Sequence, residues 1–303
     1  MDDRQVSDAS GGLPAEPPAE DRFGSVLRLD VLIDAPPRTV AGVLRDATAA
    51  AEALSRAGHR LTSPVRLLAP DDEVRVGVRA VPGLRIPLRT RITGIDANGM
   101  TSVLAGGPMR AVEHVTTLTP SPVGTWLRDE LRWTAPLGRV GMLADRVVVR
   151  RMMRRVLAAR AEVITARSEA LAAAPAVVAT ALVRDGRLLI AQRTRPPALA
   201  GRWELPGGRV EPGEGESAAV VRECREELGT EVVADGRVGT DLPIDVGVLR
   251  VHRARPAAAA PEPRALEHAA LRWVGAAEVP GVNWVDADRA VVADLVRLLT
   301  DDE

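Results

Sequence analysis

Apolar and polar residues alternate along Val26-Leu27-Arg28-Leu29-Asp30-Val31-Leu32-Ile33, the two-residue period of a strand. Asp34-Ala35-Pro36-Pro37 ends that strand and opens a helix, with proline in the first turn, where its missing N–H costs little. Strand-like runs then fall at 73–81, 88–95, 101–104, 111–119 and 124–134. They are parted by the turn residues Pro82-Gly83, Asn98-Gly99 and Gly106-Gly107-Pro108. A long helix follows over about 140–172, where Leu143, Val147, Met152, Val156, Leu157 and Ile164 recur at helical spacing. Ala172-Ala173-Ala174-Pro175-Ala176 reads as a linker. The second unit opens with strand 177–184, a turn at Asp185-Gly186 and strand 187–193. Strands at 246–254 and 271–274 and a helix over about 288–299 close it. Residues 1–22 are polar and proline-bearing and are expected to stay disordered. The chain therefore divides into a tail at 1–22, an α+β unit at 23–172 and a second unit at 173–303.

With 303 residues and 46% hydrophobic content the chain can build two cores. Only 2% is aromatic, so Ala, Val, Leu and five Trp must fill them. The 40 basic residues are all arginine, which removes most of the phosphate-binding meaning a single arginine would carry. A net charge of -1 gives no support to nucleic-acid binding. One cysteine, Cys224, excludes an internal disulfide and suits a reducing cytoplasm. No apolar run reaches the ~18 residues of a membrane span. Asp2, Asp3 and Arg4 open the chain with no apolar stretch behind them, so a signal peptide is not expected.

The densest chemistry lies at 208–230, GRVEPGEGESAAVVRECREELGT. Gly208 is followed after five residues by Glu214, after seven more by Arg222-Glu223, then by Glu226-Glu227 and Gly229. Ser217 can cap a helix that ends at Gly229. On that helix Glu223, Glu226 and Glu227 emerge from one face, while Val220, Val221, Cys224 and Leu228 form an apolar stripe beside them. Carboxylates crowded this closely repel, and a hard divalent ion bridging to substrate phosphates removes that cost. Arg222 can orient a glutamate. Gly207-Gly208 allows a tight loop and close approach of backbone to phosphate.

This spacing is that of the Nudix box, and the second unit resembles the MutT-type Nudix pyrophosphohydrolases, an α/β/α fold. The resemblance implies Glu223, Glu226 and Glu227 as metal ligands, with Glu223 also the base for the attacking water and Glu214 and Arg222 in support. It implies Mg²⁺ as cofactor, with Mn²⁺ able to substitute. Glu267, before the strand Leu271-Arg272-Trp273-Val274, fits the place of a further glutamate from a distant loop, though a surface role suits it equally. The flanks 191–193, 195–208 and 282–289 resemble actinobacterial CTP pyrophosphohydrolases, which split CTP, dCTP or modified cytidine nucleotides to the monophosphate and pyrophosphate. Asp288 lies where that group reads the base, and a carboxylate can accept from the cytosine amine. Asp286 or Asp288 can equally cap the last helix. Arg193 is a candidate for phosphate or base, or a solvated arginine; Trp203 and Trp284 read as core. Sanitation of 8-oxo-dGTP is the second activity that fits.

Val31-Leu32-Ile33-Asp34-Ala35-Pro36 and the Pro136-Leu137-Gly138 turn resemble the START-like superfamily of polyketide cyclase type. That resemblance implies a helix-grip fold, in which a long helix closes a sheet over an apolar small-molecule cavity. Its strands could equally form a plain core. His59 and His114 look isolated, and Asp129 and Glu130 read as strand residues without a catalytic set. A ligand-sensing regulatory protein is the competing class, and the intact glutamates argue against it.

Overall fold

The computed structural model describes residues 23–81, 84–134 and 148–301. The tail at 1–22, the Pro82-Gly83 turn, the Pro136-Leu137-Gly138 turn and the expected helical stretch 140–147 lie outside the described residues.

The N-terminal unit begins with β1 (Ser25–Ile33), followed by α1 (Pro37–Arg45), α2 (Ala47–Arg56) and β2 (Arg60–Thr62). Five strands come next: β3 (Glu73–Val81), β4 (Leu84–Asp96), β5 (Gly99–Gly106), β6 (Ala111–Ser121) and β7 (Gly124–Thr134). They form a seven-stranded antiparallel sheet in the order β1-β7-β6-β5-β4-β3-β2. Pro37 stands in the first turn of α1, as the sequence implies. The single helix expected there is two, because Asp46 ends α1 and caps α2 by accepting the Thr48 N–H at 2.8 Å.

The long helix α3 (Arg150–Ala172) buries Met153, Leu157, Arg160, Ile164, Ser168 and Leu171 at helical spacing. Under it Leu27, Leu131, Trp133, Met153 and Leu157 make one apolar cluster. Beside them lies a buried polar knot. Asp129 accepts from Thr116 Oγ1 at 2.6 Å and Arg160 Nε at 3.0 Å, and His114 Nε2 lies 3.0 Å from it. His114 is therefore not isolated: strand register sets it two residues from Thr116, which faces Asp129. Burial opposes charge on Asp129, but Arg160 and His114 overcome it and hold the carboxyl well below its usual range.

Three residues after α3 the second sheet starts, with β8 (Ala176–Arg184), β9 (Arg187–Gln192), β10 (Trp203–Glu204), β11 (Val232–Ile244), β12 (Gly247–Pro256) and β13 (Ala270–Gly275). The order is β10-β9-β8-β12-β11, with β13 on β9 and a parallel β8–β12 pair. The near-continuous apolar run of β8 reflects burial on both faces. Val178 and Leu182 pack under α4 (Glu216–Leu228) with Val220, Cys224 and Leu228. Ala179, Ala181 and Val183 face the opposite way, toward Trp284, Val291 and Leu295. The expected final helix is two short ones, α5 (Asp286–Arg289) and α6 (Val292–Thr300). The long β11 was not read from the sequence, where Gly236, Gly239 and Pro243 break the alternation.

The two units share packing. Val248 of β12 belongs to the core under α1, and Leu67 of the N-terminal unit to the core of the second sheet. Helix α1 lies on β11 so closely that a Cβ at Gly42 would sit 1.5 Å from Asp241 O. Arg45, fully buried, donates to Ala290 O at 2.6 Å, to Asp294 Oδ2 at 3.2 Å and to Ile95 O at 3.1 Å. Among the described residues no helix is long and apolar enough to cross a membrane.

Candidate active site

The loop from β10 to α4 runs along β8 as an extra strand would. Thr180 N donates to Pro206 O at 2.7 Å, Val178 N to Gly208 O at 2.8 Å and Val210 N to Ala176 O at 3.0 Å. Two physical reasons make both central residues glycine. Gly207 has φ +153° and presses on β8, so that a Cβ would meet Val178 O at 2.1 Å. Gly208 is filled from the other side, since a Cβ would meet Glu223 Oε1 at 2.2 Å. The double glycine thus lets the loop lie between a strand backbone and a carboxylate.

Helix α4 starts two residues earlier than expected. Gly215 is its N-cap and makes no side-chain cap bond, so Ser217 lies inside the helix rather than capping it. Gly229 ends it at φ +62°, the left-handed conformation expected of it. The chain returns at 264–266 to finish the cap: Arg264 N donates to Leu228 O and Leu266 N to Glu227 O.

The structure brings Gly207, Gly208, Glu214, Arg222, Glu223, Glu226 and Glu227 together. Arg222 stands at the centre. It grips Glu214 through Nε and Nη2, both at 3.0 Å, and reaches Glu223 at 2.8 Å, Glu226 at 3.1 Å and Arg209 O at 2.8 Å. Those bonds, Glu214's first, push its guanidinium further toward the charged form, and the same contact holds Glu214 below its usual range. Burial pushes Glu223 up, a rise that Arg222 opposes and Glu226 and Glu214 reinforce. Glu227 accepts from Gly207 N at 2.9 Å, and its burial pushes it up to about 7.

Glu204 and His268 were not singled out in the sequence. His268, 6% exposed at its side chain, places Nε2 3.2 Å from Glu204. Burial works against its charged form, but the Glu204 bond and the Glu227 charge overcome it and raise its pKa. Arg193 bonds to Glu204 and, through Nε, to Arg195 O at 3.0 Å. Asp288 is buried, and its Oδ2 accepts the Leu205 N–H at 3.1 Å. Burial, reinforced by the Glu204 charge, pushes it up to about 8. It does not cap α5, whose N-cap is Val285. Asp286 instead pairs with Arg202 at 2.7 Å. The Glu267 side chain is exposed, and its ion-pair partner among the described residues is Arg195 at 3.9 Å. The structure does not bring it to the Arg222 cluster. Its neighbour His268 points inward instead, a choice no sequence period signals. Trp284 is core as read, and Trp203 is partly buried against the same cluster.

The NUDIX domain family matches residues 173–295. A protein of Mycobacterium tuberculosis (strain H37Rv) named "Putative 8-oxo-dGTP diphosphatase 2" is 53% identical over 127 residues, 41% of this chain and 89% of that protein. The chain belongs to the Nudix family. It is a hydrolase of anhydrides in phosphorus-containing compounds. The Nudix unit is also similar to the "CTP pyrophosphohydrolase" of Escherichia coli K12, 54% identical over 55 residues, 18% of this chain and 41% of that protein. Among solved structures, the E. coli ORF135 protein shares 33% identity at a TM-score of 0.37, covering 41% of this chain and 89% of its own.

Nudix hydrolases generally use divalent metal. The donor set here is all carboxylate oxygen, the chemistry that suits a hard ion. Burial leaves Glu223 and Glu227 with raised pKa values that a nearby cation would relieve. The residues fit such an ion in kind. Among the described residues no three acidic, His or Cys side chains converge on one point, because the Arg222 guanidinium stands among Glu214, Glu223 and Glu226.

Proposed function

We propose that this Nudix hydrolase is a nucleoside triphosphate pyrophosphohydrolase dependent on Mg²⁺, with Mn²⁺ able to substitute, acting first on CTP, dCTP or modified cytidine nucleotides. The observation that carries the reading is the buried Glu223, raised in pKa and set against the Gly208 backbone beside Glu226 and Glu227. Glu223, Glu226 and Glu227 would hold the ion, which when bound supplies charge neutralisation and an activated water. Glu223 takes the proton as the water oxygen bonds to phosphorus, and the anhydride between the α- and β-phosphates breaks to leave monophosphate and pyrophosphate. Arg222 orients Glu223 and keeps Glu214 charged. The double glycine lets the loop lie directly against Glu223 and so keeps that carboxylate beside the backbone. Cytidine selection is supported by the likeness to a protein named CTP pyrophosphohydrolase.

A second reading, 8-oxo-dGTP, is favoured by the relative carrying that name over 89% of its length. A nucleotide panel with Mg²⁺ and Mn²⁺, scored for monophosphate and pyrophosphate, ranks the two. No turnover of any triphosphate, or full activity of Glu223→Gln, would end the enzymatic assignment of these residues.

The N-terminal unit, taken as 23–172, is read as a START-like helix-grip unit that precedes a Nudix unit at 173–303. Its support is the element order: a helix pair after β1 and a long helix after β7.

A further inference from the structure

Arg289, the last residue of α5, leaves the Nudix unit for the N-terminal one. Its Nη2 donates to Asp72 Oδ2 at 2.9 Å and to Leu67 O at 2.7 Å, and its Nη1 to Asp72 Oδ1 at 3.3 Å. Asp72 is itself pinned, because Oδ2 accepts the Ala69 N–H at 2.8 Å and its carbonyl accepts from Ile92 N at 3.0 Å. The preceding residue, Asp288, holds the Leu205 N–H. Backbone bonds from Trp203 N to Asn283 O and from Val285 N to Trp203 O, both 2.9 Å, fasten the same segment to β10. Residues 283–289 therefore form a strap with one end on the strand leading into Pro206-Gly207-Gly208 and the other on the segment between β2 and β3 of the N-terminal unit. A helix of four residues does not hold its own position, so its anchors decide where it sits.

We propose that Arg289 and Asp72 are positioning residues of the Nudix site, through which the N-terminal unit fixes the strap and so the strand that sets Gly207 against Glu227 and Gly208 against Glu223. The inference rests on the assignment of those glutamates to the reaction. A misplacement of about 1 Å at a reacting site costs on the order of 100-fold in rate. The two-pronged grip on Asp72 needs the planar fork of arginine, which lysine lacks.

The test uses the full chain with Arg289→Ala, Arg289→Lys, Asp72→Asn and the exchange Asp72→Arg/Arg289→Asp. Three readouts are taken: amide hydrogen exchange at Leu205 and at β12, kcat and KM for the triphosphate that wild type turns over fastest, and the urea midpoint. The expected result is exchange at Leu205 about tenfold faster with β12 unchanged, and kcat/KM lower by about 10- to 100-fold. Arg289→Lys is expected to recover only part of this, and the charge exchange to recover more than either single change. Wild-type Leu205 exchange and kinetics in Arg289→Ala and Asp72→Asn would overturn the proposal. So would activity lost only in proportion to folded protein, with β12 exchanging as fast as Leu205. A wild-type chain that hydrolyses no triphosphate would defeat the proposed function instead, while the exchange comparison would still decide whether the strap is held from the N-terminal unit.

Discussion

Replacing Gly42 with alanine adds one methyl group to the middle of α1. In an unconstrained helix that change stabilises by about 1 kcal/mol. Here the added Cβ would lie 1.5 Å from Asp241 O and 2.6 Å from its carbonyl carbon. Both are backbone atoms of β11, so no flexible side chain can yield. A carbon–oxygen contact needs roughly 3.3 Å, which forces α1 and β11 apart by roughly 1.8 Å. The 2.9 Å bond from Thr39 Oγ1 to Asp241 would break, a loss of about 1 kcal/mol. Overpacking adds about 1–3 kcal/mol. The helix gain offsets the hydrogen-bond loss, which leaves a destabilisation of about 1–3 kcal/mol. Any loosening of Arg45, buried with Asp294 across the same interface, adds to that figure.

Urea unfolding of the full chain, followed by tryptophan fluorescence, measures this directly, because Trp133 lies in one unit and Trp284 in the other. The Gly42→Ala midpoint is expected below wild type, with both units affected together. A midpoint at or above wild type would refute the reasoning. It would mean that α1 does not lie on β11 and that Gly42 behaves as an ordinary helical glycine.

Gly208→Ala places a Cβ 2.2 Å from Glu223 Oε1; because the end of a side chain can yield, kcat is expected to fall about 10- to 100-fold with the urea midpoint nearly unchanged, and a wild-type kcat would contradict it. Asp288 is raised in the folded state to about 8 from an unfolded value near ~3.9, so the native chain holds a proton that the unfolded chain releases, and this group makes stability fall as pH rises from about 4 to 8. Asp288→Asn keeps an acceptor for Leu205 N–H without the titration, so its urea midpoints should gain on wild type between about pH 5 and pH 8; parallel pH profiles would rule this out. Asp129→Ala strands the buried Arg160 and is expected to cost about 3–5 kcal/mol by chemical denaturation. A loss below about 1 kcal/mol would show that the knot under α3 contributes little.

The sequence by itself determined the reactive helix. Spacing at i, i+3 and i+4 puts Glu223, Glu226 and Glu227 on one face, and Gly229 ends the helix, because helical geometry is local and repeats every turn. Period-two alternation likewise marked β1, β3 and β7, whose faces differ in burial. Alternation failed for β11, where glycines and a proline interrupt it. Only the tertiary structure decided which side chains meet across long separations. His114 with Asp129 and Arg160, Glu204 with His268, and Arg289 with Asp72 are pairings set by register and packing, and none carries a period in the chain. In a protein whose 40 basic residues are all arginine, Arg222, Arg193 and Arg289 look alike as letters. What separates them is the partner each meets: one centres the carboxylate cluster, one is paired with Glu204, and one crosses to the other unit.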